Sequence, residues 1–231
     1  MEILLPFLLV ILASFFQGSF GLGMKYMEPL KWEAWWIIHV TVAMIIFPIL
    51  WAVFAVPNLF LVISNAPTEA VFLGMLFGFL WGVGGILFGK SVPYIGLSLT
   101  YGVVMGLAAS VGSIIPLMQV EDAFSNPATT YVIIAVVIML VGVAITAKAG
   151  IDRDKLIGDT KNPSNMIKGI LIAVSCGVLS ALLNVGFANA TPVALEAEKM
   201  GAITRNSSLA AWVVVLLGAF IMNLGYAVVL L

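Results

Sequence analysis

Residues 180–189 read SALLNVGFAN, within an apolar run over 167–189. Ser180, Asn184 and Asn189 each bring hydrogen-bonding groups that hydrocarbon cannot satisfy. If the run spans a membrane, each group costs free energy unless protein or water meets it. The bulk of the chain decides whether it spans. Hydrophobic residues make up 62% of the 231 residues and charged residues 9%, and the mean hydropathy is +1.17. A soluble domain carries about 25% charged residues, so this chain has too little polar surface to face water.

Working outward from 167–189, six more apolar segments lie at 3–22, 34–56, 70–89, 94–119, 130–148 and 207–231. Each is near the ~20 residues of a bilayer span. The expected fold is all-α and integral to the membrane: a polytopic helical bundle of about seven transmembrane helices, one domain over 1–231. A transmembrane β-barrel would show short alternating segments instead. The lipid bilayer is the first partner this implies. A single cysteine, Cys176, excludes a disulfide framework and any thiolate metal site, and no cofactor is expected. A net charge of −1 gives no sign of a nucleic-acid partner.

Orientation follows from the ten cations. Lys25, Lys31, Lys90, Lys148, Arg153, Lys155, Lys161 and Lys168 fall at the first, third and fifth connections, and only Lys199 and Arg205 at the second, fourth and sixth. The positive-inside rule then puts the odd connections in the cytoplasm and the N-terminus outside. The start MEILLPFLLV lacks the cationic n-region of a cleaved signal peptide, so the first span reads as retained.

Small residues stripe several spans. At 100° per residue, Gly74, Gly78, Gly82, Gly85 and Gly89 share one face about 80° wide. Ser98, Gly102, Gly106, Ala109 and Ser113 do the same on the fourth span, and Ala173, Gly177, Ala181, Asn184 and Ala188 on the sixth. Close helix packing is the ordinary explanation, and it is the reading for Gly74, Gly78, Gly82, Gly102, Gly106 and Gly177. It suits Asn184 less well, because close contact alone does not call for an amide.

A weak internal repeat adds to this. ASFFQGSFG (13–21) in the first span lines up with SALLNVGFA (180–188) in the sixth, matching Gln17 to Asn184 and Phe20 to Phe187. Segments five spans apart enter the membrane with opposite polarity, and inverted repeats meeting at the midplane mark secondary transporters. Gln17 and Asn184 are then expected to face a shared ligand cavity, with Ser180 and Asn189 to either side of Asn184. Amides suit a neutral polyol, since each offers two donors and an acceptor.

The strings LVGVAITAKAG (140–150), KGILIAVSCGVLSA (168–181), GKSVPYIGLSL (89–99), KWE (31–33) and MNLGY (222–226) resemble the L-rhamnose–proton symporter family of the drug/metabolite transporter superfamily. The resemblance runs from the first span to the last residue. It implies two inverted five-helix halves and inward movement of a deoxyhexose with a proton. Here it implies a first repeat over about 1–150 and a partial second repeat over about 165–231. Members have ten spans and this chain stops at Leu231 inside an apolar run, so about three spans are expected to be missing.

His39, in WWIIHVTV, is the only histidine and lies inside the second span. An intramembrane imidazole is a candidate for proton coupling, because it titrates near physiological pH. Trp35 and Trp36, one turn earlier, resemble an interfacial belt, which favours an interfacial histidine instead. Trp81 and Tyr101 suit either stacking on a sugar face or filling gaps between glycine-lined helices, with packing favoured for Trp81. Asn206 or Ser207 reads as the N-cap of the last span.

The leading reading is a bacterial inner-membrane importer of a small sugar, L-rhamnose foremost, by proton symport. Sodium coupling and a homodimer stay open. The alternatives are a carrier of the same superfamily for another small metabolite, or a non-functional fragment of such a carrier. An enzyme would need a carboxylate pair, a Ser–His dyad or a metal cluster within the spans. The spans hold no deep acidic residue; Asp152, Asp154, Asp159, Glu196 and Glu198 lie in the connections.

Overall fold

A hydrocarbon medium forces backbone N–H and C=O groups to pair within each apolar segment, so the segments become helices. The computed structural model describes residues 4–23, 26–27, 29–119, 122–156 and 163–231. The helices are α1 (Leu4–Gly23), α2 (Trp32–Val40), α3 (Phe47–Ala55), α4 (Leu59–Asn65), α5 (Thr68–Ile95), α6 (Leu97–Met118), α7 (Pro127–Leu156), α8 (Pro163–Asn189), α9 (Thr191–Lys199) and α10 (Thr204–Leu230). Lys25, Lys161 and Asp159 lie outside the described residues, as do the side chains of Phe20, Asp154 and Lys155.

Among the described residues, six helical stretches are long and apolar enough to cross a bilayer. The described apolar part of α1, Leu4–Gln17, is shorter. Outward faces of α1 and α7 expose Leu8, Ile11, Phe15, Val137, Ile138 and Ile145. Such surface is stable in lipid, and the protein is a polytopic helical membrane protein.

α2 and α3 form one span joined by a π-helical stretch, Thr41–Ile46. Pro48 explains the wide turn. It has no N–H to give the carbonyl one turn back and its ring would collide with that carbonyl, and a π turn relieves the collision. α5 meets α6 through the single residue Gly96, whose φ of +79° favours glycine. The junction is fastened inside: the Thr100 hydroxyl donates to the Gly96 carbonyl at 2.8 Å, and the Ser91 hydroxyl, at 2.8 Å, donates to Thr100.

The spans pack in the order α7, α6, α8, α5, α10 and α2–α3. Small residues set the separations. A Cβ on Gly78 would overlap the Val215 carbonyl of α10, and one on Gly218 of α10 would overlap the Met75 carbonyl of α5. A Cβ on Gly106 would overlap Val143 of α7, one on Gly102 would stand 2.7 Å from Thr146, and one on Gly177 would stand 2.7 Å from Leu107. The stripe on α5 nonetheless divides. Gly74, Gly78 and Gly82 face α10, whereas Gly85 meets one side-chain atom and Gly89 meets nothing within 4 Å. A helix with a neighbour along only part of its length has packing there and open space beyond.

The second and sixth connections contain the short helices α4 and α9, which pack on each other. Two expectations change. α10 begins at Thr204 after Ile203, so Asn206 and Ser207 lie inside its first turns rather than at the N-cap. Ser207 is buried and its hydroxyl is 2.9 Å from Glu198 Oε1 on α9. Trp36 is no belt residue either: it is 7% exposed, inside the bundle. A buried indole N–H needs an acceptor, and Asn223 of α10 supplies it at 3.0 Å.

Candidate functional site

Two apolar clusters flank an unfilled space. On one side Ile95, Leu99, Val104, Ala173 and Cys176 join α5, α6 and α8. On the other, Val40 and Met44 meet Ala219 and Ala227 of α10, with Trp81 packed beside them. Between them lies a cavity of about 360 Å³, within the ~300–1,000 Å³ of small-molecule sites. The residues on it fall near the middle of α8 and on the inner part of α2, α5 and α10, which places it close to the centre of the bundle.

Its wall has two kinds of surface. Trp36, Trp81, Phe88 and Tyr101 supply aromatic area, Phe88 and Tyr101 meeting edge to face at 4.9 Å. Gln17, His39, Ser180, Tyr101 and Asn223 supply polar groups. The His39 ring stacks on Trp35 at 4.9 Å and on Trp36 at 5.3 Å. The Cys176 thiol donates to the Gly84 carbonyl at 3.0 Å. Among the described residues no carboxylate, lysine or arginine lines the cavity. A charged ligand would meet no counter-charge there and would be costly to desolvate. A neutral ligand with hydroxyls on one side and C–H groups on the other fits both surfaces, since C–H edges are drawn to the negative face of an aromatic ring.

The structure brings Gln17, Ser180, Tyr101 and His39 to one cavity and leaves Asn184 and Asn189 off it. The Asn184 amide instead lies beside Gly112 of α6, on an exposed position of α8. The Asn189 amide donates back to the Val185 carbonyl at 2.8 Å, at the end of α8. Trp81 lines the cavity as well as packing against α2 and α10. Sequence reasoning assigned Trp36 to an interfacial belt and gave Asn223 no role in the site. The signal for Asn223 was present, an amide inside an apolar run, the same signal that singled out Asn184. A second recess of about 390 Å³ lies nearer the end that carries Lys31 and Lys90, lined by Trp32, Lys90, Leu97 and Tyr226. Lys90 sits over the Tyr226 ring there at 5.4 Å, and Phe88 borders both spaces.

Fold and cavity together define a multi-pass helical membrane protein with a neutral, aromatic-walled chamber near its centre. A family model described as L-rhamnose-proton symport protein matches residues 2–231, and the chain belongs to that family. It is 30% identical over 217 residues to an L-rhamnose-proton symporter of Mannheimia succiniciproducens, covering 92% of this chain and 62% of the relative. It is 29% identical over 207 residues to one of Escherichia coli, covering 87% and 60%. A Yersinia pestis relative of the same description is 27% identical over 205 residues, again covering 87% and 60%. The chain thus spans about 60% of the length of the curated relatives it matches. No solved structure matches it.

Proposed function

We propose that this chain forms the ligand chamber of a carrier that imports L-rhamnose, or a closely similar deoxyhexose, together with a proton. One observation carries the reading: the central cavity joins an aromatic wall to several neutral polar groups, with no charged side chain among the described lining residues. A 6-deoxyhexose has that character, with a methyl group and C–H faces beside its hydroxyls. The names of the relatives support the same sugar and the same ion.

Gln17, Ser180 and Tyr101 are the hydroxyl-binding candidates, because they share the cavity. Asn184 and Asn189, off its wall, are not among them. His39 is the candidate proton carrier: it lines the chamber and is the lining side chain whose ordinary pKa lies nearest neutrality. The positive-inside rule puts Lys31, Lys90, Lys148 and Arg153 in the cytoplasm of a bacterial cell, with the N-terminus outside. The repeat of 13–21 in 180–188 supports an inverted pair of halves, the second one partial.

The test is uptake by de-energised cells that produce the protein, in lightly buffered medium. Adding L-rhamnose should alkalinise the medium, with or without sodium, and L-mannose, which carries an extra hydroxyl at C6, should do so far less. Rhamnose entry without alkalinisation overturns the proton coupling. No rhamnose entry, with the protein present in the membrane, overturns the substrate.

A further inference from the structure

Asn223 sits on α10 at the wall of the cavity, 1% exposed. Its amide offers two N–H donors and a carbonyl oxygen with two lone pairs. One donor goes to the Ala219 carbonyl at 2.8 Å, and one lone pair accepts the Trp36 indole N–H at 3.0 Å. Those partners fix which way round the amide lies, because the indole only donates and a carbonyl only accepts. One N–H and one lone pair of the planar group remain to take a further partner.

The facing helix places no side chain over the amide. Gly82 and Gly85 of α5 stand opposite the amide and also line the cavity. A Cβ on Gly82 would stand 2.9 Å from Asn223 Nδ2, and one on Gly85 would stand 3.8 Å from Oδ1. Close packing accounts for Gly74 and Gly78, which press against α10. It does not account for Gly85, whose Cβ would meet no other atom within 4 Å.

We propose that Asn223 is the hydrogen-bonding anchor of the cavity, its remaining N–H and lone pair receiving a hydroxyl, or two vicinal hydroxyls, of a neutral monosaccharide. Trp36 is a positioning residue for this contact, holding the amide in one rotamer through its indole N–H. The inference rests on the reading of the cavity as a sugar site.

The test is a cycle of protein variants against ligand variants, read by calorimetry on purified protein. The probes are L-rhamnose and its 2-, 3- and 4-deoxy analogues. For the wild type, one analogue should bind roughly 2- to 13-fold more weakly than L-rhamnose, the equivalent of one neutral hydrogen bond. In Asn223→Leu that particular penalty should vanish while the others persist. Trp36→Phe should shrink the same penalty only partly, which a purely structural role would leave unchanged. Where Asn223→Leu alone fails to fold, the pair Trp36→Phe/Asn223→Leu removes both partners, leaves no orphaned indole, and carries the cycle. Deoxy penalties that are all unchanged in the variants overturn the anchor and leave the sugar site standing. A wild type that binds none of the four sugars overturns both.

Discussion

The Trp36 indole N–H meets Asn223 Oδ1 at 3.0 Å, linking residues 187 positions apart in the chain. The bond ties the second span to the last one at the wall of the cavity, and it joins two groups that lipid could not satisfy. Losing either partner takes this bond from the other. Trp36→Phe and Asn223→Leu should each lower the thermal stability of purified protein in detergent, by about 1–3 kcal/mol each. The double variant should lose clearly less than the sum. Strictly additive losses would show that the bond contributes nothing.

The glycines of α5 should differ sharply by position. Gly78→Ala puts a methyl group into the Val215 carbonyl of α10, and backbone cannot give way as a side chain can. Folded yield should collapse. Gly89→Ala meets nothing within 4 Å and removes a glycine from a helix interior, so yield and melting temperature should hold or rise. Equal behaviour of the two, followed by fluorescence-detected size exclusion, would contradict the packing described for this face.

Residues on the sixth span should separate by their place on or off the cavity wall. Ser180→Ala removes a hydroxyl from the cavity wall and should weaken L-rhamnose binding roughly 2- to 13-fold. Asn184→Leu acts off the cavity, at an exposed position beside Gly112, and should change stability by less than about 0.5 kcal/mol. Its affinity should stay unchanged. Reduced affinity at normal yield for Asn184→Leu would return that amide to the ligand site.

His39→Gln tests coupling. With the imidazole on the chamber wall, the variant should still exchange labelled sugar down a gradient but fail to accumulate it against one. Accumulation at the wild-type level would make His39 a packing residue, held by its stacking on Trp35 and Trp36.

Orientation is open to a direct check in a Cys176→Ser background. Cysteine replacing Asp152 should resist an impermeant thiol reagent in whole cells, and cysteine replacing Asp122 should react; both positions are exposed. The reverse pattern would invert the assigned sidedness.

Composition and apolar run length by themselves determined that this chain lies in a membrane as a bundle of helices, because hydrocarbon permits an apolar chain little else. The glycine stripes likewise announced close packing, since only small residues let helix backbones approach. Strings such as KGILIAVSCGVLSA carried the family. Helix periodicity also put Asn184 on the small-residue face of the sixth span, and the repeat paired it with Gln17. Periodicity describes a helix alone, however, and not its neighbours. One turn beyond Ser180, Asn184 lies beside Gly112 of α6, exposed and off the cavity wall. Asn223 and Trp36, far apart in the chain, reach the cavity only because α2 and α10 meet there. Tertiary packing alone decided which amide faces the cavity, because a cavity is the space that several helices together leave unfilled.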